Sequence, residues 1–135
     1  MNLVYTNELE KINWRQLRQD LIADDFHNGR SVAQLRRSFE QSQISVCVLD
    51  EAHCVGTARA LSDGVCNCYV VDVWTQTAYR NHGIATEMMN SIINQVPGQH
   101  LYLQTEDAVA FYEKLGFRRQ PEGLAMVSGT WLNNF

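Results

Sequence analysis

No apolar run in this 135-residue chain approaches the ~18 residues of a membrane span. The opening Met1-Asn2-Leu3-Val4-Tyr5-Thr6 has no signal-peptide pattern either. A cytoplasmic protein without a membrane partner is the expectation. Basic residues are in deficit: 11 Lys and Arg stand against 15 Asp and Glu, for a net charge of −4. Phosphate binding normally leaves a basic imprint, so no nucleic acid is expected as a partner, while a cationic amine stays open. Four cysteines, Cys47, Cys54, Cys66 and Cys68, lie in apolar, strand-like runs with no C-x-x-C or Cys/His zinc spacing. They read as small buried hydrophobes in a reducing compartment, and no metal is expected. Also missing are G-x-x-x-x-G-K-[ST], which speaks against a nucleotide triphosphatase, and an N-terminal G-x-G-x-x-G, which speaks against a dinucleotide fold.

What the chain does have is the composition of an ordinary globule, 45% apolar and 19% charged. Its length fits one domain with a core of its own. The most informative stretch runs from Asp72 to Ala85. The β-branched Val70, Val71 and Val73 lead through a short polar connection into Arg80-Asn81-His82-Gly83-Ile84-Ala85, and a helix-like segment follows. A strand, a glycine turn and a helix start make an anion site, because the first helical N–H groups lack partners and the dipole favours negative charge there. Gly83 lets a ligand approach the backbone, and Ala85 keeps the next turn open. The pattern predicts a phosphate-bearing cofactor held by main chain.

A second pattern lies downstream, Thr105-Glu106-Asp107-Ala108-Val109-Ala110-Phe111-Tyr112-Glu113-Lys114-Leu115-Gly116-Phe117. Thr105 or Asp107 can cap a helix whose Ala108, Phe111, Tyr112 and Leu115 share one face. Gly116 then falls where a helix end needs positive φ. Taken together and in this order, the Arg-x-x-Gly-x-Ala turn and the Ala-x-x-Phe-Tyr helix ending in Leu-Gly-Phe resemble the two signatures of the GNAT superfamily of N-acetyltransferases.

Element order agrees with the resemblance. A strand is expected over 2–6, a helix over 8–22 capped by Asn7, a loop over 24–29 and a second helix from the Ser31 cap to Glu40. Strands follow over 43–50, 53–62 and 66–75, with turns at 50–53 and 62–64. The cofactor helix covers 84–95 and stops at Pro97-Gly98; strand 100–104, helix 107–115 and terminal strands 117–120 and 124–131 complete the chain. The resemblance implies an α/β (α+β) GNAT fold over 1–135 as a single domain. Its mixed, mostly antiparallel sheet would have seven strands, flanked by about four helices.

It also implies roles. In the family the fourth strand splays from the fifth and pairs its backbone with the cofactor arm, which here places Val73, Trp74 and Thr75 along acetyl-CoA. The amides of Asn81, His82, Gly83, Ile84, Ala85 and Thr86 would take the pyrophosphate, with Arg80 as a cationic fork. His82 stands where Lys or Arg is frequent; a solvent-facing loop histidine is the plainer reading. Thr77 replaces a common proline, making the turn less rigid, and Thr105 replaces a frequent asparagine near the cofactor arm beside Ala108. Tyr112 matches the tyrosine that gives a proton to the leaving thiolate, and the motif around it favours that role over simple packing against Phe111. Asp72, the carboxylate within the fourth strand, reads either as the amine's base through water or as a structural partner for an arginine or the strand end.

The implied activity is transfer of the acetyl group of acetyl-CoA to a primary amine of a small molecule, by direct attack in a ternary complex. The alternatives are a protein lysine or N-terminal acetyltransferase and a non-catalytic acyl-CoA-binding sensor; a homodimer is open. Asp24, Asp25, Phe26 and His27 set acidic groups beside an aromatic ring, which suits a cationic amine with an apolar body, yet loops are polar in any case. Trp74 and Tyr69 line the acceptor pocket or belong to the core. Arg119-Gln120-Pro121-Glu122-Gly123-Leu124-Ala125-Met126 resembles small bacterial GNATs and a plastid group linked to arylalkylamine or protein-lysine acetylation; a Pro-x-Gly turn explains it as well.

Overall fold

Largely apolar runs separated by tight polar turns fold the middle of the chain into three long antiparallel strands, β2 (Ile44–Asp50), β3 (His53–Ser62) and β4 (Asn67–Thr75). The computed structural model describes residues 1–133, which fall into two compact units, Met1–Leu103 and a second beginning at Gln104. In the first unit β1 (Leu3–Thr6) pairs antiparallel with β2, and β5 (His100–Tyr102) pairs parallel with β4. The sheet order is β1-β2-β3-β4-β5.

Two helices precede β2. The first, α1 (Trp14–Ala23), starts later than Asn7 predicts. Its cap is Asn13, whose side chain accepts from the Gln16 N–H at 3.0 Å, and a separate 3-10 turn occupies Leu9–Lys11. The second, α2 (Val32–Glu40), begins at Ser31 as expected, in a reciprocal capping box with Gln34. Their apolar stripes meet one face of the sheet in a core of Trp14, Leu17, Leu21, Leu35, Phe39, Cys47, Leu49, Cys54 and Trp74. The third helix, α3 (Ile84–Gln95), keeps the predicted bounds and buries Ile84, Met88, Met89 and Ile92. It packs on β2, β3 and β4.

The β3–β4 turn is built by one carboxylate. Asp63 Oδ1 accepts from the N–H groups of Val65, Cys66 and Asn67 at 2.8, 2.8 and 3.2 Å. These bonds hold its carboxyl far below the usual carboxylate range. Cys66 sits in that turn and is exposed, contrary to its reading as a buried residue; Cys47, Cys54 and Cys68 are buried, and all four thiols are free.

The second unit carries α4 (Val109–Lys114). The Ala108 N–H donates to Thr105 Oγ1 at 3.0 Å just before it, and Gly116 takes φ 106° just after it. The expected strands over 117–120 and 124–131 do not form: the sheet has five strands, not seven, and none lies after Tyr102 among the described residues. A strand needs a ladder and a face to bury. Pro121 lacks a donor, and Leu124 and Met126 are 93% and 87% exposed.

Candidate functional site

The centre of the first unit's site is an irregularity in β4. Thr57 pairs with Trp74 and Arg59 with Val71, so Asp72 and Val73 together face Ala58 in a β-bulge. Asp72 adopts φ 56°, a left-handed conformation that aspartate tolerates better than most residues. Three side chains hold it there. Arg30 Nη1 and Nη2 donate to Oδ2 and Oδ1 at 2.8 and 3.0 Å, and Arg59 Nε donates to Oδ2 at 2.6 Å. The Thr57 hydroxyl donates to the Asp72 carbonyl at 2.9 Å.

The Asp72 and Arg30 side chains are each 7% exposed. Burial pushes the Asp72 carboxyl up, but the hydrogen bonds and charges of Arg30 and Arg59 outweigh it and hold it below its ordinary value. Further bonds fix the arginines: Arg30 Nη1 donates to Ser38 Oγ at 3.1 Å and Arg59 Nη1 to Ser42 Oγ at 3.2 Å.

Beyond the bulge β4 has an open side. Its parallel ladder with β5 covers Asn67, Cys68 and Tyr69 only, so Val70 to Thr75 have no ladder on that edge among the described residues. Their other edge is paired, and the Gln76 N–H donates to the Val55 carbonyl at 2.8 Å. Trp74 is buried in the α1–α2 core, whereas Tyr69 is 40% exposed.

A 3-10 turn, Thr77–Tyr79, carries the chain out of β4. Asp24, at the end of α1, accepts from the Trp74 indole N–H at 2.9 Å, the Thr77 N–H at 3.2 Å and the Thr77 hydroxyl at 2.7 Å. Burial raises the Asp24 pKa, and the bonds from Thr77 and Trp74 reverse this, leaving it lowered. The acidic Asp24 is therefore bound to β4 and its turn. At the far end of the turn the Tyr79 hydroxyl donates to Asp50 Oδ2 at 2.6 Å. Arg80 Nε then donates to the Thr75 carbonyl at 3.3 Å, and His82 Nδ1 lies 2.9 Å from the Arg80 carbonyl.

The loop that follows is exposed from Arg80 to Gly83, with Asn81 at φ 66° and Gly83 at φ 75°. Gly83 is the N-cap of α3, and a Cβ added to it would meet nothing within 4 Å. Glu87 makes the first helical bond, to the Gly83 carbonyl at 3.1 Å. Helix geometry thus leaves the N–H groups of Ile84, Ala85 and Thr86 without helical partners, next to the open space beside Gly83. Gly56 on β3 sets where the helix starts: a Cβ there would lie 3.2 Å from Ile84 Cγ2 and 3.4 Å from the Trp74 carbonyl.

In the second unit Tyr112 is buried, with ring centroids 4.9 Å from Phe111 and 5.7 Å from Phe117. Burial, and secondarily the Asp107 charge, raise its phenol pKa. The candidate residues from Asp72 to Thr86 thus lie in one continuous segment of the first unit, while Thr105, Ala108 and Tyr112 belong to the second. Arg30, Arg59, Gly56 and the anchoring role of Asp24 are additions to the sequence reading. Arg59, a lone charge within the apolar run from Val55 to Ala60, was a visible signal for a buried partner; Arg30 offered none.

Among the described residues no group of three or more His, Cys, Asp or Glu is placed to hold a metal ion, and no helix is long and apolar enough to cross a membrane.

Residues 6–117 match the model of the acetyltransferase (GNAT) family. The uncharacterized N-acetyltransferase ycf52 of Porphyra purpurea is 26% identical over 129 residues, covering 90% of this chain and 74% of that protein. The histone acetyltransferase TAP1 of Glycine max is 27% identical over 119 residues, 85% of this chain and 51% of that protein. Among solved structures, a protein assigned to the GNAT family from Xanthomonas campestris superposes with a TM-score of 0.81 at 19% identity, covering 100% of this chain and 99% of that one. At that identity the likeness concerns the fold.

Proposed function

We propose that this chain, which belongs to the acetyltransferase (GNAT) family, transfers the acetyl group of acetyl-CoA to a primary amine of a small molecule by direct attack in a ternary complex. The observation that carries the reading is the open edge of β4 after Tyr69, continuous with the exposed turn and free amides at the start of α3. An extended amide-bearing arm can add to such an edge as a strand would, and a diphosphate suits the helix start.

The residues divide the work as follows. Val73, Trp74 and Thr75 offer backbone groups to the pantetheine arm. The amides of Asn81 to Thr86 hold the pyrophosphate, with the exposed Arg80 alongside. Bound acetyl-CoA supplies an activated acetyl thioester. Tyr112, whose raised pKa keeps the phenol protonated at neutral pH, gives a proton to the departing thiolate. Thr105 and Ala108 are cofactor-binding residues by the family resemblance.

Asp72 acts here as the strand's anchor rather than as the base. Both its oxygens accept from arginines, and a lowered pKa makes it a poor proton acceptor. The amine's proton then leaves through water.

One observation favours a protein acceptor, the similarity to the histone acetyltransferase TAP1 over 85% of this chain. A panel of primary amines and lysine-containing peptides, each assayed for free thiol released from acetyl-CoA, tests both readings. Release with small amines supports the first, and release with peptides alone replaces it with the second. Binding without release on either panel points to a sensor.

A further inference from the structure

The connection from β4 to α3 begins with a turn whose far end is held by the Tyr79 hydroxyl on Asp50 and whose first residues have little local support. Thr77 and Ala78 are exposed, and a 3-10 turn of three residues has weak internal bonding. Its first residue is tied instead to a carboxylate 53 positions away in sequence. Asp24 Oδ1 takes the Thr77 hydroxyl at 2.7 Å, and Oδ2 takes both the Thr77 N–H at 3.2 Å and the Trp74 indole at 2.9 Å. Bonds to an ionised carboxylate are about twice as strong as neutral ones. The carboxylate thus joins the last buried side chain of β4 to the first residue of the turn.

The same loop grips β4 a second time. Six residues after Asp24, Arg30 forks onto Asp72 at the bulge. The Arg30 bonds to Asp72 and the Asp24 bonds to Thr77 therefore bracket Val73, Trp74 and Thr75, and Asp24 also holds Trp74 within that segment. Phe26 packs against the core between the two contacts, and Arg18 Nε donates to the Arg30 carbonyl at 2.6 Å.

We infer that Asp24 is a positioning residue for the cofactor: through Thr77 and Trp74 it fixes the turn between β4 and α3 before any ligand arrives. The inference rests on the proposed acetyl-CoA site. It also explains how a threonine serves at the first position of this turn. Proline would preset the backbone there by its ring; threonine has the N–H and hydroxyl that proline lacks, and Asp24 binds both. The preceding Gln76, at φ −53° and ψ 139°, has the extended backbone that a following proline requires. Thr77→Pro should therefore be accommodated, and it should make Asp24 largely dispensable to the turn.

The experiment measures amide hydrogen exchange of the ligand-free protein over 78–82, together with acetyl-CoA affinity by calorimetry, in the wild type and in Asp24→Ala, Asp24→Asn, Thr77→Pro and Asp24→Ala/Thr77→Pro. Asp24→Ala should speed exchange over 78–82 while α3 stays protected, and weaken acetyl-CoA binding roughly ten- to a hundredfold. Asp24→Asn keeps an acceptor oxygen, should lose less, and serves if the alanine variant folds poorly. Adding Thr77→Pro to Asp24→Ala should restore slow exchange and most of the affinity. Unchanged exchange over 78–82 in Asp24→Ala overturns the inference. So does equal acceleration over 24–30 and 78–82 without rescue by Thr77→Pro, which would make Asp24 a general loop anchor. Slow, Asp24-dependent exchange in a protein that binds no acetyl-CoA would instead sustain the turn lock and remove the proposed cofactor.

Discussion

Arg30 holds Asp72 with two parallel hydrogen bonds, Nη1 to Oδ2 at 2.8 Å and Nη2 to Oδ1 at 3.0 Å, across 42 positions of sequence. The pair ties the end of the α1–α2 loop to the bulge in β4, and Arg59 adds a second cation to the same carboxylate. Two positive charges face one negative charge in a poorly solvated place. Removing Arg30 leaves Asp72 with half its partners, while removing Asp72 leaves two arginines facing each other.

Arg30→Met is therefore predicted to destabilise the protein by roughly 3 kcal/mol, the scale of breaking one arm of a buried ion pair. Urea unfolding measures it, and a loss within a few tenths of a kcal/mol would show that the pair is inert. The pH dependence has a definite sign. A carboxyl whose folded pKa lies below its unfolded value near 3.9 contributes stability above that value and loses it as pH falls through the folded pKa. The Asp72 contribution is thus fully present at neutral pH and is lost only below about pH 4.

Activity separates the two roles open to this carboxylate. An anchor predicts that Asp72→Asn depresses kcat/KM by the same factor at every pH and lowers Tm. A base predicts a deficit that is largest below the amine's own pKa and shrinks above it, because a neutral amine needs no base. Paired pH profiles of wild type and Asp72→Asn on one well-used amine decide between them. The flat deficit is the expected result.

Gly56→Ala should cost about 1–3 kcal/mol, the range for overpacking a filled core. The added carbon would stand 3.2 Å from Ile84 Cγ2 and 3.3 Å from Val48 Cγ2. Ile84 is the first residue of α3, so the shift should also weaken acetyl-CoA binding. A variant as stable as wild type with unchanged acetyl-CoA affinity would mean that α3 is not seated by this contact.

The phenol of Tyr112 is expected to matter for turnover and not for binding. Tyr112→Phe should lower kcat by about 10²- to 10⁴-fold, the usual share of general acid catalysis, with little change in acetyl-CoA affinity. Its raised pKa keeps the proton on the donor throughout the neutral range. Near-normal kcat, with chemistry shown to be rate-limiting, would assign Tyr112 to packing with Phe111 and Phe117.

The parts of this fold legible in sequence are those governed by local chemistry. Ser31 announced α2, Gly83 and Pro97 bracketed α3, and Gly116 marked the end of α4. Asn7 misled because an asparagine before an apolar pattern looks like a cap; Asn13 has the same chemistry and a free helical N–H within reach. The terminal strands failed for a different reason. Leu124 and Met126 alternate as strand residues do, but alternation needs a neighbouring ladder and a face to cover. In the site, the glycine turn and helix start were local and readable. The Arg30–Asp72–Arg59 cluster and the Asp24–Thr77 contact join residues distant in sequence, and only the folded chain brings them together.

The central claim, that the end of β4 and the start of α3 hold acetyl-CoA, is tested most directly by the ligand-induced melting shift in wild type and Gly83→Val. A ligand bound only by the native state adds RT ln(1 + [L]/Kd), about 2.7 kcal/mol at a hundredfold excess over Kd. Gly83 combines φ 75° with open space before α3. Valine there strains the backbone and occupies the volume a pyrophosphate needs. The account predicts a clear acetyl-CoA shift in wild type and none in Gly83→Val, with the variant still folded at lower Tm. An equal shift in both proteins would contradict it.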